Sequence, residues 1–409
     1  MKKLLAILLA VAMVFALAAC GEQKQPETKD EPKAETLKVG MVCIGDEQAA
    51  YDRNFYMAAD AAKAQLAKEG INIEWVYTYN HPEGDPVAVD CEELADAGCI
   101  AVFLNSYGME PAMLTVAGDY PETVFIGMTN EASQRDNLEN TVNAFPNIFE
   151  GRYLAGVAAG CKLQEMIDNG EIKPEEAVIG YVGAYTFAEV LSGYTSFFLG
   201  ARSVCPSATM MVEFIGSWGD PAMEANTAQD LIDKGAVLIS QHSDSTTPAT
   251  TAEKNGVYHV GYNIAMSDVA PNASIISSRI DWTNYMVYVI KTLANGGKVD
   301  QDYTGHGLKD GDVKLTELND KIAAPGTADA IAKAEEAIKA GTLHVFDTST
   351  FTVGGVTPTE GLVDMNGDFV GEPEYNAISK DGYYRESYFK SAPNFDLRID
   401  GITLVNEAY

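Results

Sequence analysis

The sequence predicts an α/β protein built as two doubly wound lobes, each a parallel sheet with helices on both faces, joined by a multi-strand hinge. Three observations predict it. Apolar, β-rich runs alternate with helix-spaced segments, and the alternation restarts after Asn147. The body is about 370 residues, more than one hydrophobic core usually serves. The runs are continuously apolar, so they read as strands buried on both faces, as parallel sheets require.

The chain opens on Lys2 and Lys3, followed by an apolar run over residues 4–19. That run is shorter than the roughly 20 residues a bilayer span needs, and its positive start and small-residue end are features of a secretory signal. It closes as Leu17-Ala18-Ala19-Cys20-Gly21, similar to a bacterial lipobox in which Cys20 takes a diacylglycerol and becomes the new N-terminus. An ordinary signal peptide with a chance cysteine is the alternative. Residues 21–36, GEQKQPETKDEPKAET, contain no aromatic residue and only one apolar one, Ala34, so they cannot offset the entropy of ordering and are read as a tether. Such a tether reaches roughly 20–25 Å.

Residues 37–45 (LKVGMVCIG) form the first expected strand, and 54–70 the first helix, which stops at a glycine. Strand 72–80, helix 86–98, strand 99–107, a short helix and strand 123–130 follow. A long helix over 148–170 begins the second series. Strands are expected at 177–184, 208–218, 236–244 and 257–264, separated by helices at 186–204, 220–235 and 247–256. Residues 274–282 are a further strand candidate, with helices at 283–297 and 327–343. The segment from Phe351 is rich in Gly, Asp and Tyr and reads as irregular with short strands; its LRIDGITLV, residues 397–405, could add an edge strand.

The net charge of −31 argues against nucleic acid and against adsorption on anionic lipid. With Cys20 assigned to lipid, Cys43, Cys91, Cys99, Cys161 and Cys205 are an odd, scattered set with no CxxC pair. Neither a zinc site nor a disulfide framework is indicated, which leaves Cys91–Cys99 as the one conceivable bridge.

In doubly wound sheets, ligands sit beyond the carboxyl ends of the strands. The residues there are Gly45-Asp46-Glu47, Asn105-Ser106-Tyr107-Gly108, Thr129-Asn130, Tyr185, Ser217-Trp218-Gly219-Asp220, Gln241-His242-Ser243-Asp244 and Tyr262-Asn263. Aromatic rings beside small polar groups suit a flat heteroaromatic ring better than a bare ion. The run His242-Ser243-Asp244-Ser245 has the residue types of a hydrolytic triad, but strand alternation puts His242 and Asp244 on one face and Ser243 on the other. Gly193-Tyr194-Thr195-Ser196 lies within an expected helix, and no G-x-S-x-G elbow, Walker loop or HExxH occurs. No catalytic residue, cofactor or metal is expected.

Taken in order, EGRYLAGVAAG (150–160), SWGDPAMEA (217–225), LIDKGAVLISQHSDS (231–245) and GVYHVGYN (256–263) resemble the basic membrane protein (BMP) group of ABC-transporter substrate-binding lipoproteins, from the lipobox to about Phe346. The resemblance implies a type I periplasmic-binding-protein fold, a purine nucleoside or purine base as ligand, ABC permease and ATPase subunits as partners, and an extracytoplasmic, lipid-anchored location. It carries ligand-binding roles to Tyr51, Asp52, Phe55, Tyr107, Tyr185, Glu189, Trp218, Asp220, His242, Asp244, Tyr262 and Asn263. Phe55 has a core-residue alternative and Asp220 an N-cap alternative. Where related chains often carry Asp in a Gly-Tyr-x-x-Asp-Met pattern, this one has Ala265, which leaves nucleoside against free base open.

Lobe 1 is expected to comprise 37–145 with about 265–300, and lobe 2 146–264 with about 301–346. Crossings are placed near 144–147, 262–266 and 280–300, and 347–409 is an extension packed on the lobes. Other readings are a receptor for another solute such as a sugar, and a lipoprotein sensor or adhesin that binds a protein partner. A nucleoside hydrolase would need a metal-binding Asp cluster that the sequence does not show.

Overall fold

The computed structural model describes residues 36–128, 138–363 and 375–409; the signal-like run, Cys20 and nearly all of the tether lie outside the described residues, as do Thr129 and Asn130. Five strands make the first sheet: β1 (Thr36–Val42), β2 (Asn72–Thr78), β3 (Cys99–Leu104), β4 (Val124–Met128) and β5 (Thr141–Ala144), all parallel, in the order β2-β1-β3-β4-β5. Alternation along the strands divides the core. Val39, Met41, Ala101 and Phe103 face α1 (Ala50–Lys68), and Val42, Val102 and Leu104 face α2 (Val87–Asp96) and α3 (Glu110–Ala117). On α1 the buried Phe55, Ala58, Ala59, Ala62 and Leu66 recur at helical spacing and form its sheet-facing stripe.

The long helix α4 (Ile148–Asp168) leads into the second sheet. This contains β6 (Val178–Gly183), β7 (Thr209–Phe214), β8 (Leu238–Gln241), β9 (Tyr258–Tyr262), β10 (Ser274–Ile280), β11 (Val313–Leu315) and β14 (Ile402–Leu404), in the order β11-β10-β9-β8-β6-β7-β14. All pairings are parallel except β10–β11. The helices α6 (Pro221–Asp233) and α7 (Thr247–Asn255) cover one face, and α4 with α5 (Ala188–Val204) covers the other. α4 and α5 pack backbone to backbone: a methyl group at Gly156 would overlap the Phe197 carbonyl, and one at Gly200 the Tyr153 carbonyl.

One part of the lobe division differs from expectation. Residues 274–280 pair with β9 in the second sheet, not in the first. The chain crosses only after β10, and α8 (Thr283–Ala294) then packs in the first lobe, with Tyr285 against Phe103. An apolar run such as SIISS looks the same whichever sheet receives it, and the turn at Asn263 (φ 69°) returns the chain to the same sheet without a covering helix. Asp302 then bridges Asn143 beside β5 before β11 rejoins the second sheet, ahead of α9 (Thr327–Lys339). In the extension, β12 (Leu362–Val363) and β13 (Tyr375–Asn376) form a two-residue ladder, and β14 adds an edge strand to β7. Cys91 and Cys99 are free thiols, as are the other described cysteines. Among the described residues no helix is long and apolar enough to cross a membrane.

Candidate functional site

The tip of β8 follows strand alternation. His242 N donates to the Val182 carbonyl at 2.8 Å and Asp244 N to the Trp218 carbonyl at 2.9 Å, which fixes both side chains toward the space between the lobes. Ser243 points the opposite way, its hydroxyl donating to Glu224 at 2.8 Å. Ser245 also donates to Glu224, at 2.7 Å, and accepts from Thr247 N at 3.1 Å, so it serves the start of α7. His242 Nε2 meets the Glu189 carboxyl at 3.2 Å, while Nδ1 has no hydrogen-bond partner among the described residues. Among the described residues no seryl hydroxyl is bonded to the imidazole.

Tyr51 at the start of α1 and Ser106 and Tyr107 after β3 face Glu189, Trp218, His242, Asp244 and Tyr262 of the second lobe around one cavity, with free volume of ≈ 10 Å³. That is room for about one water molecule. The lobes touch directly at its rim: Ala50 N donates to the Asp244 carbonyl at 3.0 Å, and the Tyr107 and Phe187 rings meet at 5.8 Å. The Tyr51 hydroxyl donates to the Asn105 carbonyl.

Burial sets the charge states. The Asp244 carboxyl is held well above the usual carboxylate range by desolvation, reinforced by Asp52, Glu224, Glu189 and Glu83, which favours its protonated, donating form. His242 is pushed down to about 4 by burial and by the Arg152 guanidinium, against the opposing pull of Glu189. Its contact with Glu189 is therefore a hydrogen bond from a neutral ring, with the proton on Nε2 assigned from that bond. Burial raises the Tyr51 and Tyr262 phenols.

Seven of the twelve residues singled out in the sequence line the cavity: Tyr51, Tyr107, Glu189, Trp218, His242, Asp244 and Tyr262. The other five sit elsewhere. Phe55 is in the core, stacked on Trp282 at 5.3 Å, because its place on α1 aligns it with the sheet-facing stripe. Asp52 is buried and accepts from Gly45 N at 3.1 Å and Asn105 Nδ2 at 2.8 Å, tying two strand-end loops together; burial pushes its carboxyl up to about 6. Tyr185 packs behind the lining, stacked on Phe187 at 5.1 Å and edge-on to Trp218 at 5.2 Å. Asp220 is the N-cap of α6, accepting from Ala222 N and Met223 N at 3.0 Å each. Asn263 forms the turn after β9, its backbone N bonded to the Ser278 carbonyl at 2.9 Å. Ala265 is exposed and outside the lining.

The sequence reading missed Phe187 and Arg152. Arg152, on α4, is buried with its guanidinium 3.4 Å from the Tyr262 ring centre and Nη1 donating to the Gln241 carbonyl at 3.0 Å. Its Nε and Nη2 have no partner among the described residues. A single charge inside the small, apolar run GRYLAGVAAG was the available signal.

The family model described as ABC transporter substrate-binding protein PnrA-like (Bmp) matches residues 38–344. A purine-binding protein of Brucella abortus is 31% identical over 314 residues, covering 76% of this chain and 83% of its own. A Haloferax volcanii protein provisionally named as an ABC transporter glucose-binding protein is 30% identical over 319 residues, covering 78% and 76%. Among solved structures, an ABC transporter solute-binding protein of Aeropyrum pernix superposes with a TM-score of 0.59 at 15% identity, covering 79% of this chain and 94% of that one. The fold is thus that of the type I-like periplasmic solute-binding proteins.

Proposed function

This chain belongs to the Bmp family of PnrA-like ABC transporter substrate-binding proteins, and from that premise we propose that it captures a purine nucleoside or purine base between its lobes for an ABC importer. The observation that carries the proposal is the wall of the cavity. Four rings, Tyr51, Tyr107, Trp218 and Tyr262, come from both lobes, with Ser106, Glu189, His242 and Asp244 among them. Rings supply stacking faces, and the polar groups supply hydrogen bonds to a heteroaromatic edge. The contacts that shut the cavity, Ala50 to Asp244 and Tyr107 to Phe187, join one lobe to the other and exist only when the lobes meet. The shut cavity, at ≈ 10 Å³, is too small for a purine, so a ligand enters by parting these contacts and is held with the lobes closed on it but further apart than here. Cys20, lipidated, would hold this receptor on the extracytoplasmic face of the membrane; Cys20→Ala should then release it from the membrane fraction.

A sugar is the competing occupant, since rings with carboxyl groups also hold hydroxylated rings and one relative bears that name. Thermal shift and calorimetry of residues 37–409 with adenosine, guanosine, inosine, adenine, hypoxanthine, glucose and galactose separate the two. Stabilisation by a purine compound and none by the sugars is expected. Stabilisation by a sugar alone, or by no compound, overturns the purine assignment.

A further inference from the structure

The segment that follows the family match returns to the site. β14 pairs with β7 in the register Ile402↔Met210, Thr403↔Met211, Leu404↔Val212, and Val405 N donates to the Val212 carbonyl at 2.8 Å. Asn406 then closes a reciprocal pair on the end of β7: its Oδ1 accepts from Phe214 N at 2.7 Å and its Nδ2 donates to the Phe214 carbonyl at 2.8 Å. Ala408 does the same at the tip of β6. Thr186 N donates to the Ala408 carbonyl at 2.7 Å, and Ala408 N donates to Thr186 Oγ1 at 2.9 Å. Asn406 and Ala408 thus hold the ends of two adjacent strands.

Both strand ends carry rings of the site. Thr186 stands between Tyr185 and Phe187, and Phe214 precedes Trp218 by four residues. Tyr185 packs on Phe187 at 5.1 Å and on Trp218 at 5.2 Å, and Phe187 lies 6.2 Å from Trp218. Trp218 lines the cavity, and its carbonyl accepts from Asp244 N at 2.9 Å. Two further bonds, Ile215 N to Gly183 and Gly216 N to Ala184, at 3.0 and 2.9 Å, tie the two loops to each other and not to a third element. The Asp244 bond ties the second loop to β8, and bonding both loops to a strand-anchored segment on their other side removes freedom they would otherwise keep.

We infer that Asn406 and Ala408 are positioning residues of the ligand site: acting through Phe214 and Thr186, they fix the aromatic wall of Tyr185, Phe187 and Trp218. The inference rests on the reading of the cavity as the ligand site. It assigns a role in specificity to a segment beyond the residues, 38–344, that match the family. A strand that merely covered the open edge of β7 would need β14 alone.

The test uses the full chain and the variants Thr186→Val, Thr186→Ser and Asn406→Ala. Hydrogen exchange of the amides of residues 184–188 is read beside affinity for adenosine, guanosine and glucose. Thr186→Val removes the acceptor for Ala408 N at nearly constant volume, and Thr186→Ser keeps it. Exchange about fivefold faster and affinity about fivefold weaker are expected for Val and for Asn406→Ala, as for the loss of an ordinary hydrogen bond, with Ser restoring both. Wild-type exchange in both Thr186→Val and Asn406→Ala overturns the inference, and so does a defect that Ser does not restore. If the unaltered chain binds none of the three compounds, the ligand assignment falls and the exchange measurement still decides the positioning.

Discussion

Gly193→Ala tests whether His242 belongs to the wall that meets the ligand. Gly193 lies in the second turn of α5, four residues after Glu189, and a methyl group there would sit 2.7 Å from Nδ1 and 3.0 Å from Cε1 of His242. The closer of these is about 0.7 Å short of an ordinary contact near 3.4 Å. The imidazole has little room to retreat. Tyr262 packs at 5.0 Å, Glu189 holds Nε2 at 3.2 Å, and the cavity offers ≈ 10 Å³. Overpacking of this kind costs about 1–3 kcal/mol, and alanine in place of glycine inside a helix offsets about 1 kcal/mol of it. The net loss of stability should thus be about 0–2 kcal/mol, leaving a folded protein. Affinity should fall more, by about tenfold, because a displaced ring loses its hydrogen-bonding geometry toward a bound ligand. Calorimetric titration of the variant with the ligand found in the compound panel, beside its melting curve, separates the two effects. Affinity within about twofold of wild type would remove His242 from the binding wall.

Gly200→Ala should do the reverse, since its methyl group meets the Tyr153 carbonyl of α4, which cannot turn aside; a loss above about 3 kcal/mol is expected in urea unfolding, and an unchanged midpoint would refute the backbone packing of α4 on α5. Asp244→Asn should keep affinity within about threefold at pH 7, because burial favours the neutral form of that carboxyl, whereas Asp244→Ala should lose about tenfold; the opposite order in calorimetry would show that the ionised form is the one used. Glu386, a buried residue of the extension itself, has its carboxyl pushed up from 4.5 to about 7 by desolvation, against the Ser192 and Asn394 hydrogen bonds. Its folded value exceeds the unfolded one, so its contribution is fully present below pH 4.5 and is lost as pH rises to about 7, worth about 3 kcal/mol. Stability of Glu386→Gln should rise relative to wild type across that window, and parallel curves would refute the assignment.

The legible parts of the fold are those that period and punctuation determine. Gly70 and Gly98, both at positive φ, stop α1 and α2 where the sequence places helix ends. The second alternation does begin with α4, after Asn147. Which sheet receives a strand is not a local property, so the sequence of 274–280 does not reveal that it joins the second sheet. The pairing of β10 with β9 depends on Asn263 taking a left-handed turn, and an Asn codes for many other conformations equally well.

The lining of the cavity was more legible than the lobe boundaries, for a topological reason. Parallel strands deliver every carboxyl end to one edge, so residues far apart in sequence meet there without any pairwise signal. What strand-end position does not decide is which residue turns inward. Tyr51 and Phe55 lie one helical turn apart on the same side of α1, with rings in edge contact at 5.0 Å, yet only Tyr51 projects past the sheet into the cavity. Trp218 and Asp220 are two residues apart, and the free N–H groups of α6 claim the carboxylate. Charge was the least legible property. The acids around Asp244 suggest an anionic pocket when counted, but burial and their mutual field favour the protonated, donating form of Asp244 in the wall it shares with Glu189. Under the proposed function, a wall that places a donor beside an acceptor would suit the alternating edge of a heteroaromatic base, whereas a cation would be best held by groups that all stay ionised.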